Sequence, residues 1–136
     1  MILYREQKIS AADFNALTEA VGWGTRDRAV VETALSNTFY SVCAVEDGRL
    51  VGYARLIGDK TIFLYVQDVM VRPEYQGMGI GTKLMEKITE KISECKAASP
   101  DLRAYLGASK GRESFYRRFG FLTRGEADLG EGMVLL

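Results

Sequence analysis

Apolar and polar positions alternate in three distinct rhythms along this chain, and each rhythm predicts a different element. Met1 to Gln7 reads as a short strand. Ser10 can cap a helix with Asp13 at its third position, and Phe14, Leu17 and Val21 then line one face. Gly22-Trp23-Gly24 ends that helix, and Thr25 and Asp27 open a second whose apolar positions include Val30, Val31, Ala34 and Leu35. From Tyr40 to Val71 the pattern predicts three antiparallel strands. Asp47-Gly48 turns between Ser41–Val45 and Leu50–Ile57, and Gly58-Asp59-Lys60 makes the second turn. The third strand, Ile62 to Val71, is apolar on both faces except for Gln67 and Asp68, which predicts a central strand covered on both sides.

The rhythm then changes to that of a helix. Ile80, Leu84, Met85, Ile88, Ile92 and Cys95 recur at helical spacing, while Lys83, Glu86, Lys87, Glu90, Lys91 and Glu94 fill the other side as a solvated face. Pro100 stops the run and Leu102–Leu106 follows as a strand. Strand, helix, strand in that order predicts a parallel pair joined by a right-handed crossover. Gly111–Phe119 reads as a helix terminated by Gly120. Phe121–Thr123 and Met133–Leu136 read as final strands around the turn-rich Gly125–Gly132. The predicted fold is α/β (α+β): one domain over residues 1–136, with a mixed, mainly antiparallel sheet flanked by helices on both faces.

Between the third strand and the long helix lies Gln76-Gly77-Met78-Gly79-Ile80-Gly81-Thr82. The first peptide N–H groups of a helix lack partners within it, and its dipole favours negative charge there. Glycines let bare backbone approach an anion closely, so the expected guest is a phosphate group. A Walker A loop needs Gly-Lys-Ser/Thr at its end, whereas Gly81 is followed by Thr82-Lys83. A dinucleotide fingerprint needs a third glycine where Thr82 stands, and its strand should open a βαβ series instead of following a meander.

Bulk properties narrow the choice further. With 136 residues, 47% of them apolar, the chain can bury one real core. Eighteen basic residues balance eighteen acidic ones, which gives no field that would draw nucleic acid or membrane. The one local asymmetry is basic: Lys110, Arg112, Arg117 and Arg118. No apolar stretch approaches the roughly 18 residues of a membrane span. The N-terminus lacks the marks of a signal peptide, so a cytoplasmic location is expected. Cys43 and Cys95 lack C-x-x-C spacing and read as small hydrophobes, and no metal is expected. The chain has no histidine, which removes Ser-His-Asp and Cys-His catalysis and leaves proton transfer to carboxylates, tyrosine, lysine, cysteine or water.

Gln76-x-x-Gly79-x-Gly81, preceded by Asp68-Val69-Met70-Val71-Arg72-Pro73-Glu74-Tyr75, resembles motif A of the GNAT superfamily of acetyl-CoA-dependent N-acetyltransferases. Phe115-Tyr116-Arg117-Arg118-Phe119-Gly120-Phe121 is similar to that family's second signature, and the predicted order of elements matches its layout across essentially the whole chain. The resemblance implies acetyl-CoA as cosubstrate and acetyl transfer to a primary amine; Trp23 and the neighbouring aromatic residues point to a small enclosed pocket, and so to a small molecule as the acceptor class. It implies that backbone N–H groups of Gly77, Met78, Gly79, Ile80, Gly81 and Thr82 hold the pyrophosphate, and that Gln76 shapes the loop. Main-chain groups of Val69 and Val71 would pair with the pantetheine arm as an added strand. The N–H of Val69 or Met70 would face the thioester oxygen, and Tyr116 would lie near the sulfur as an acid.

Two positions depart from the family pattern. Ser109 stands seven residues before Tyr116 where many relatives carry asparagine, so its cofactor contact would be shorter and single. Tyr65 stands where a glutamate is often found on the central strand. Asp68, Tyr65, Glu32 and Glu113 remain as candidates for the base, Asp68 alternatively forming a salt bridge with Arg72. Trp23, Phe39 and Tyr40 either line an acceptor pocket or pack the core. A homodimer is common in the family. A non-catalytic acyl-CoA sensor and a protein N-terminal or lysine acetyltransferase are the alternative functions.

Overall fold

The computed structural model describes all residues from Met1 to Leu136. They form two compact units, Met1–Tyr105 and Leu106–Leu136. The first unit opens with β1 (Leu3–Arg5), α1 (Ala11–Ala20) and α2 (Arg28–Ser36). The meander follows as β2 (Tyr40–Glu46), β3 (Arg49–Gly58) and β4 (Phe63–Val71). Next come a single 3-10 turn at Pro73–Tyr75, the long α3 (Ile80–Ala98) and β5 (Arg103–Leu106). The strands lie in the order β1-β2-β3-β4-β5. The first three pairings are antiparallel, and the sheet as a whole is mixed.

Local chemistry accounts for most boundaries. The Ser10 hydroxyl accepts the Asp13 N–H at 3.1 Å, as an N-cap does. Asp47 and Gly48 both take positive φ, 50° and 76°, which a two-residue turn of type I′ requires between strands of right-handed twist. At the end of β3, Gly58 has φ +142° and its absent Cβ would sit 2.5 Å from the Phe63 carbonyl oxygen and 2.9 Å from Leu64 Cα. Both objects are backbone and cannot swing aside. Gly58→Ala is therefore expected to cost about 2 kcal/mol, read as a lower urea midpoint at unchanged slope.

Alternation along β2 and β3 sends side chains to opposite faces. Tyr53 and Cys43, paired across the strands, join Phe14, Leu17, Val31, Leu35 and Met70 in one buried cluster under α1 and α2. Phe14 meets Tyr53 edge-on, ring centroids 6.3 Å apart. Fully buried Leu17 alone contributes about 2 kcal/mol. The intervening residue, Gly52, faces α3: a Cβ there would lie 3.1 Å from both Ile80 Cγ2 and Leu84 Cδ1. The expected helical stripe of α3 is thus seated, with Ile80, Leu84, Met85, Ile88 and Ile92 all buried. Helices cover both faces of the sheet.

The second unit differs from its predicted outline. Helix α4 is only Glu113–Arg117, although Gly120 does take the left-handed φ of +92°. Neither Phe121–Thr123 nor Met133–Leu136 forms a strand. Their apolar content suggested one, but a strand exists only where a neighbour takes its ladder bonds, and Met133, Val134, Leu135 and Leu136 are at least 80% exposed. What holds this unit is a tight side-chain arrangement. The Glu126 carboxylate accepts the Thr123 N–H at 2.9 Å and pairs with Arg117 at 3.1 Å, which lowers its pKa to about 2.

Candidate active site

Three features of β4 and the segment after it define the site. The first is an open helix mouth. Gly79 is the N-cap of α3, at φ 82°, and being glycine it offers no side-chain cap. Gly77 also takes a left-handed φ of +80°, and a Cβ at either residue would meet nothing within 4 Å. These glycines are required for their backbone conformation, and the space in front of them is open. Residues 76–79 are exposed. The Gln76 amide folds back to donate to the Val71 carbonyl at 3.0 Å and so ties the loop to the end of β4. A nineteen-residue helix with such an N-terminus presents aligned N–H donors to an anion. A diphosphate fits that donor set.

The second feature is a β-bulge. Tyr53 pairs with Met70, but Arg55 pairs with Gln67, so Ala54 alone opposes both Asp68 and Val69. Asp68 adopts φ +57° to make the bulge. Beyond it, Arg72 donates its N–H to Val51 at 2.9 Å, and alternation turns the Met70 N–H toward β3 as well and the Val71 N–H away. The third feature is the length of the strands. β5 begins beside the start of β4, where the Arg103 N–H reaches the Ile62 carbonyl at 3.0 Å, and β5 is four residues long against nine for β4. The second half of β4, from Gln67 on, therefore extends past it with no strand of the sheet on that edge.

The candidate bases separate. Asp68 is paired with Arg55, Nε to Oδ2 at 2.7 Å, and not with Arg72, whose own Nε donates to the Leu50 carbonyl. Arg55 sits in β3 directly across from Gln67 and faces α2, whereas Arg72 lies beyond the strand end. Tyr65 and Gln67, half-buried, share that face of β4. Glu32 is exposed and paired with Arg28. Glu113 belongs to α4 in the second unit.

The aromatic candidates separate too. Trp23 is 49% exposed, so it does not cap the core. Its loop is stitched to α1 by Asn15, which bonds Arg26 through both its oxygen and its nitrogen. Phe39 carries the Lys60 ammonium over its ring, while Tyr40 turns to the α3 side, under Lys91, with its hydroxyl on Glu6. Burial and Glu6 push the Tyr40 hydroxyl far above its usual pKa.

In the second unit, Tyr116 packs edge-on against Phe115 and Phe121. Burial raises its pKa, and nearby Arg112 pulls it partly back. Ser109 is exposed, and its carbonyl accepts the Arg112 N–H. Two members of the basic cluster are occupied within the unit: Arg117 by Glu126, and Arg118 over the rings of Phe115 and Phe119. Arg55 escaped the sequence reading altogether. A charge inside the otherwise apolar run from Leu50 to Ile57 was the available signal.

Known proteins resemble this chain in sequence and in fold. The family model for the acetyltransferase (GNAT) domain matches residues 6–136. An uncharacterised N-acetyltransferase, ycf52-like, of Prochlorococcus marinus is 33% identical over 113 residues, covering 80% of this chain and 61% of that protein. The histone acetyltransferase TAP1 of Glycine max is 30% identical over 125 residues, covering 83% of this chain and 52% of its own length. The chain thus spans little more than half of these relatives. The crystal structure of a protein of unknown function from meticillin-resistant Staphylococcus aureus superposes with a TM-score of 0.88 at 28% identity, over 100% of this chain and 99% of that one. The chain belongs to the GNAT family of acetyltransferases. No helix is long and apolar enough to cross a membrane.

Proposed function

We propose that residues 1–136 act as one N-acetyltransferase domain that moves an acetyl group from acetyl-CoA to a primary amine of a small molecule in the cytoplasm. The observation that carries this reading is the mouth of α3: Gly79 in the left-handed conformation, no side-chain cap, and open space before Gly77 and Gly79. Backbone N–H groups from Gly77 through Met78, Gly79, Ile80 and Gly81 to Thr82 would hold the diphosphate of coenzyme A. The free edge of β4 would take the pantetheine arm through Val69 and Val71. Because Gln76 already occupies the Val71 carbonyl, the Val71 N–H is the better placed group there. Ser109 would add a short hydrogen bond.

Acetyl-CoA supplies the activated acetyl group. The Val69 N–H, at the bulge, stabilises negative charge on the acyl oxygen as a neutral amine adds to the carbonyl carbon. Met70 suits that role less, since its N–H turns toward β3. As the carbon–sulfur bond breaks, Tyr116 gives its proton to the departing sulfur. Tyr65 and Gln67 offer polar contacts at short range to a small amine, and water carries away its proton.

A second reading has an observation behind it: TAP1, a relative at 30% identity, is a histone acetyltransferase, and half-exposed Trp23 leaves that side accessible to a peptide. One assay addresses both. Free thiol released from acetyl-CoA is followed across a panel of small amines, lysine peptides and peptide N-termini. Turnover with small amines and not peptides is expected. Turnover with peptides alone would replace the acceptor class, and none at all with tight acetyl-CoA binding would leave a sensor.

A further inference from the structure

Asp68 and Arg55 form an ion pair unlike the surface pairs of this chain. Each side chain is only 10% exposed, and the contact is short at 2.7 Å. The three Arg55 contacts use two nitrogens of its guanidinium and are aimed at separate elements. Nε holds the Asp68 carboxylate in β4. Nη1 donates both to the Ala34 carbonyl in the last turn of α2 and to the Thr38 hydroxyl just after it, each at 3.1 Å. A planar fork with three fixed partners has no freedom left to rotate.

The placement matters because of what Asp68 does with its backbone. A residue at φ +57° in a strand is strained unless it is glycine, or at some cost Asp or Asn. Glycine is the ordinary choice at the left-handed position of such a bulge. Glycine would make the bulge without strain, yet would also let it relax, since that residue occupies many conformations about equally well. An aspartate gripped by a buried arginine does the opposite: the carboxylate is anchored, so the peptide between Asp68 and Val69 has one orientation. A buried ion pair is a poor way to add stability, because desolvation offsets its attraction. Its presence here is better explained by what it fixes.

We propose that Arg55 and Asp68 are positioning residues for acyl transfer: the pair clamps the β4 bulge to the last turn of α2 so that the Val69 N–H stays aimed at the acyl oxygen. This rests on the acetyltransferase reading above. It also assigns the Asp68 carboxylate to Arg55, which leaves it no part as the base.

The test follows the carbonyl of bound [1-13C]acetyl-CoA by NMR, alongside turnover. In the parent, the carbonyl resonance moves downfield on binding, as a polarised carbonyl should. Arg55→Met is expected to lose most of that displacement and about 30-fold in kcat, an amount in keeping with a misaimed oxyanion donor, while KM and Kd for acetyl-CoA stay within about threefold. Asp68→Asn, which keeps an acceptor for Arg55 and tolerates the left-handed region, should retain the displacement and stay within about tenfold in kcat. Arg55→Met/Asp68→Gly removes the stranded charge and lets glycine adopt the bulge freely. It guards against a single variant that fails to fold, and it should recover much of both signals.

A parent without carbonyl displacement, or an Arg55→Met variant that folds and matches the parent in both readouts, overturns the clamp. So does a hundredfold or greater loss of kcat in Asp68→Asn and in the double variant with the displacement intact, because that is the behaviour of a missing base. A parent that displaces the carbonyl but acetylates no amine instead removes the proposed function, and the clamp is then judged on the spectrum alone.

Discussion

Gly79→Val is expected to weaken acetyl-CoA binding at least about a hundredfold, close to 3 kcal/mol, measured by calorimetry. The reasoning starts from the backbone. Gly79 holds φ +82° as the N-cap of α3, a region that a β-branched residue adopts only as an outlier. Valine would force the turn into another conformation, and the N–H groups that follow would no longer converge. Charge-assisted hydrogen bonds from backbone donors to phosphate are each worth about 1.5–3 kcal/mol, so losing the aim of two is enough to reach the stated loss. A Cβ at Gly79 meets nothing within 4 Å, so the strain of the variant lies in its own backbone. The change in folding stability should therefore stay near the local strain, about 1–2 kcal/mol. An unchanged acetyl-CoA affinity in a folded Gly79→Val protein would place the phosphates elsewhere and remove the main support for the proposed function. Gly77→Ala probes the same loop more gently and should fall in between.

The elements that sequence reading located share one property: their cause is local. The Asp47-Gly48 turn needs positive φ at two adjacent residues, and only a few residue types accept that. Five of the six apolar α3 positions predicted from spacing are fully seated, and the sixth, Cys95, is partly buried near the end of the helix. The Ser10 cap and the Gly120 terminator are likewise set by residues within one turn. The glycine loop was legible for the same reason.

The bulge was not legible, because it is a mismatch in count between two strands. Nothing in Gln67-Asp68-Val69-Met70 says that Ala54 alone will oppose two of these residues. Asp68 stood out as a charge in an apolar run, yet its partner came from β3, thirteen residues back, where Arg72 had seemed the nearer cation. The final strands failed in the converse way. Phe121–Thr123 and Met133–Leu136 have strand-like side chains, but pairing is a property of neighbours, and composition does not supply one. The turn at the head of α3 was therefore legible from the sequence, whereas the bend of the strand before it was not.

Tyr116→Phe is the sharper test of chemistry, with an expected fall in kcat of about a hundredfold or more and no change in acetyl-CoA affinity. Phenylalanine keeps the ring and its edge-on contacts with Phe115 and Phe121, so folding should be preserved. Only the hydroxyl is removed. Burial raises the Tyr116 pKa above its ordinary value near 10, with Arg112 opposing, so the hydroxyl keeps its proton throughout the neutral range. An acid must be protonated to act. The parent rate should accordingly decline only once the pH passes that raised pKa, and the decline should be missing in Tyr116→Phe. Below that point both proteins should gain rate with pH alike, because the rise reports loss of a proton from the acceptor amine. The discriminating quantity is the alkaline limb. If Tyr116→Phe matches the parent in kcat and in that limb, Tyr116 is one more aromatic packed in the second unit, and the proton for the departing sulfur comes from water.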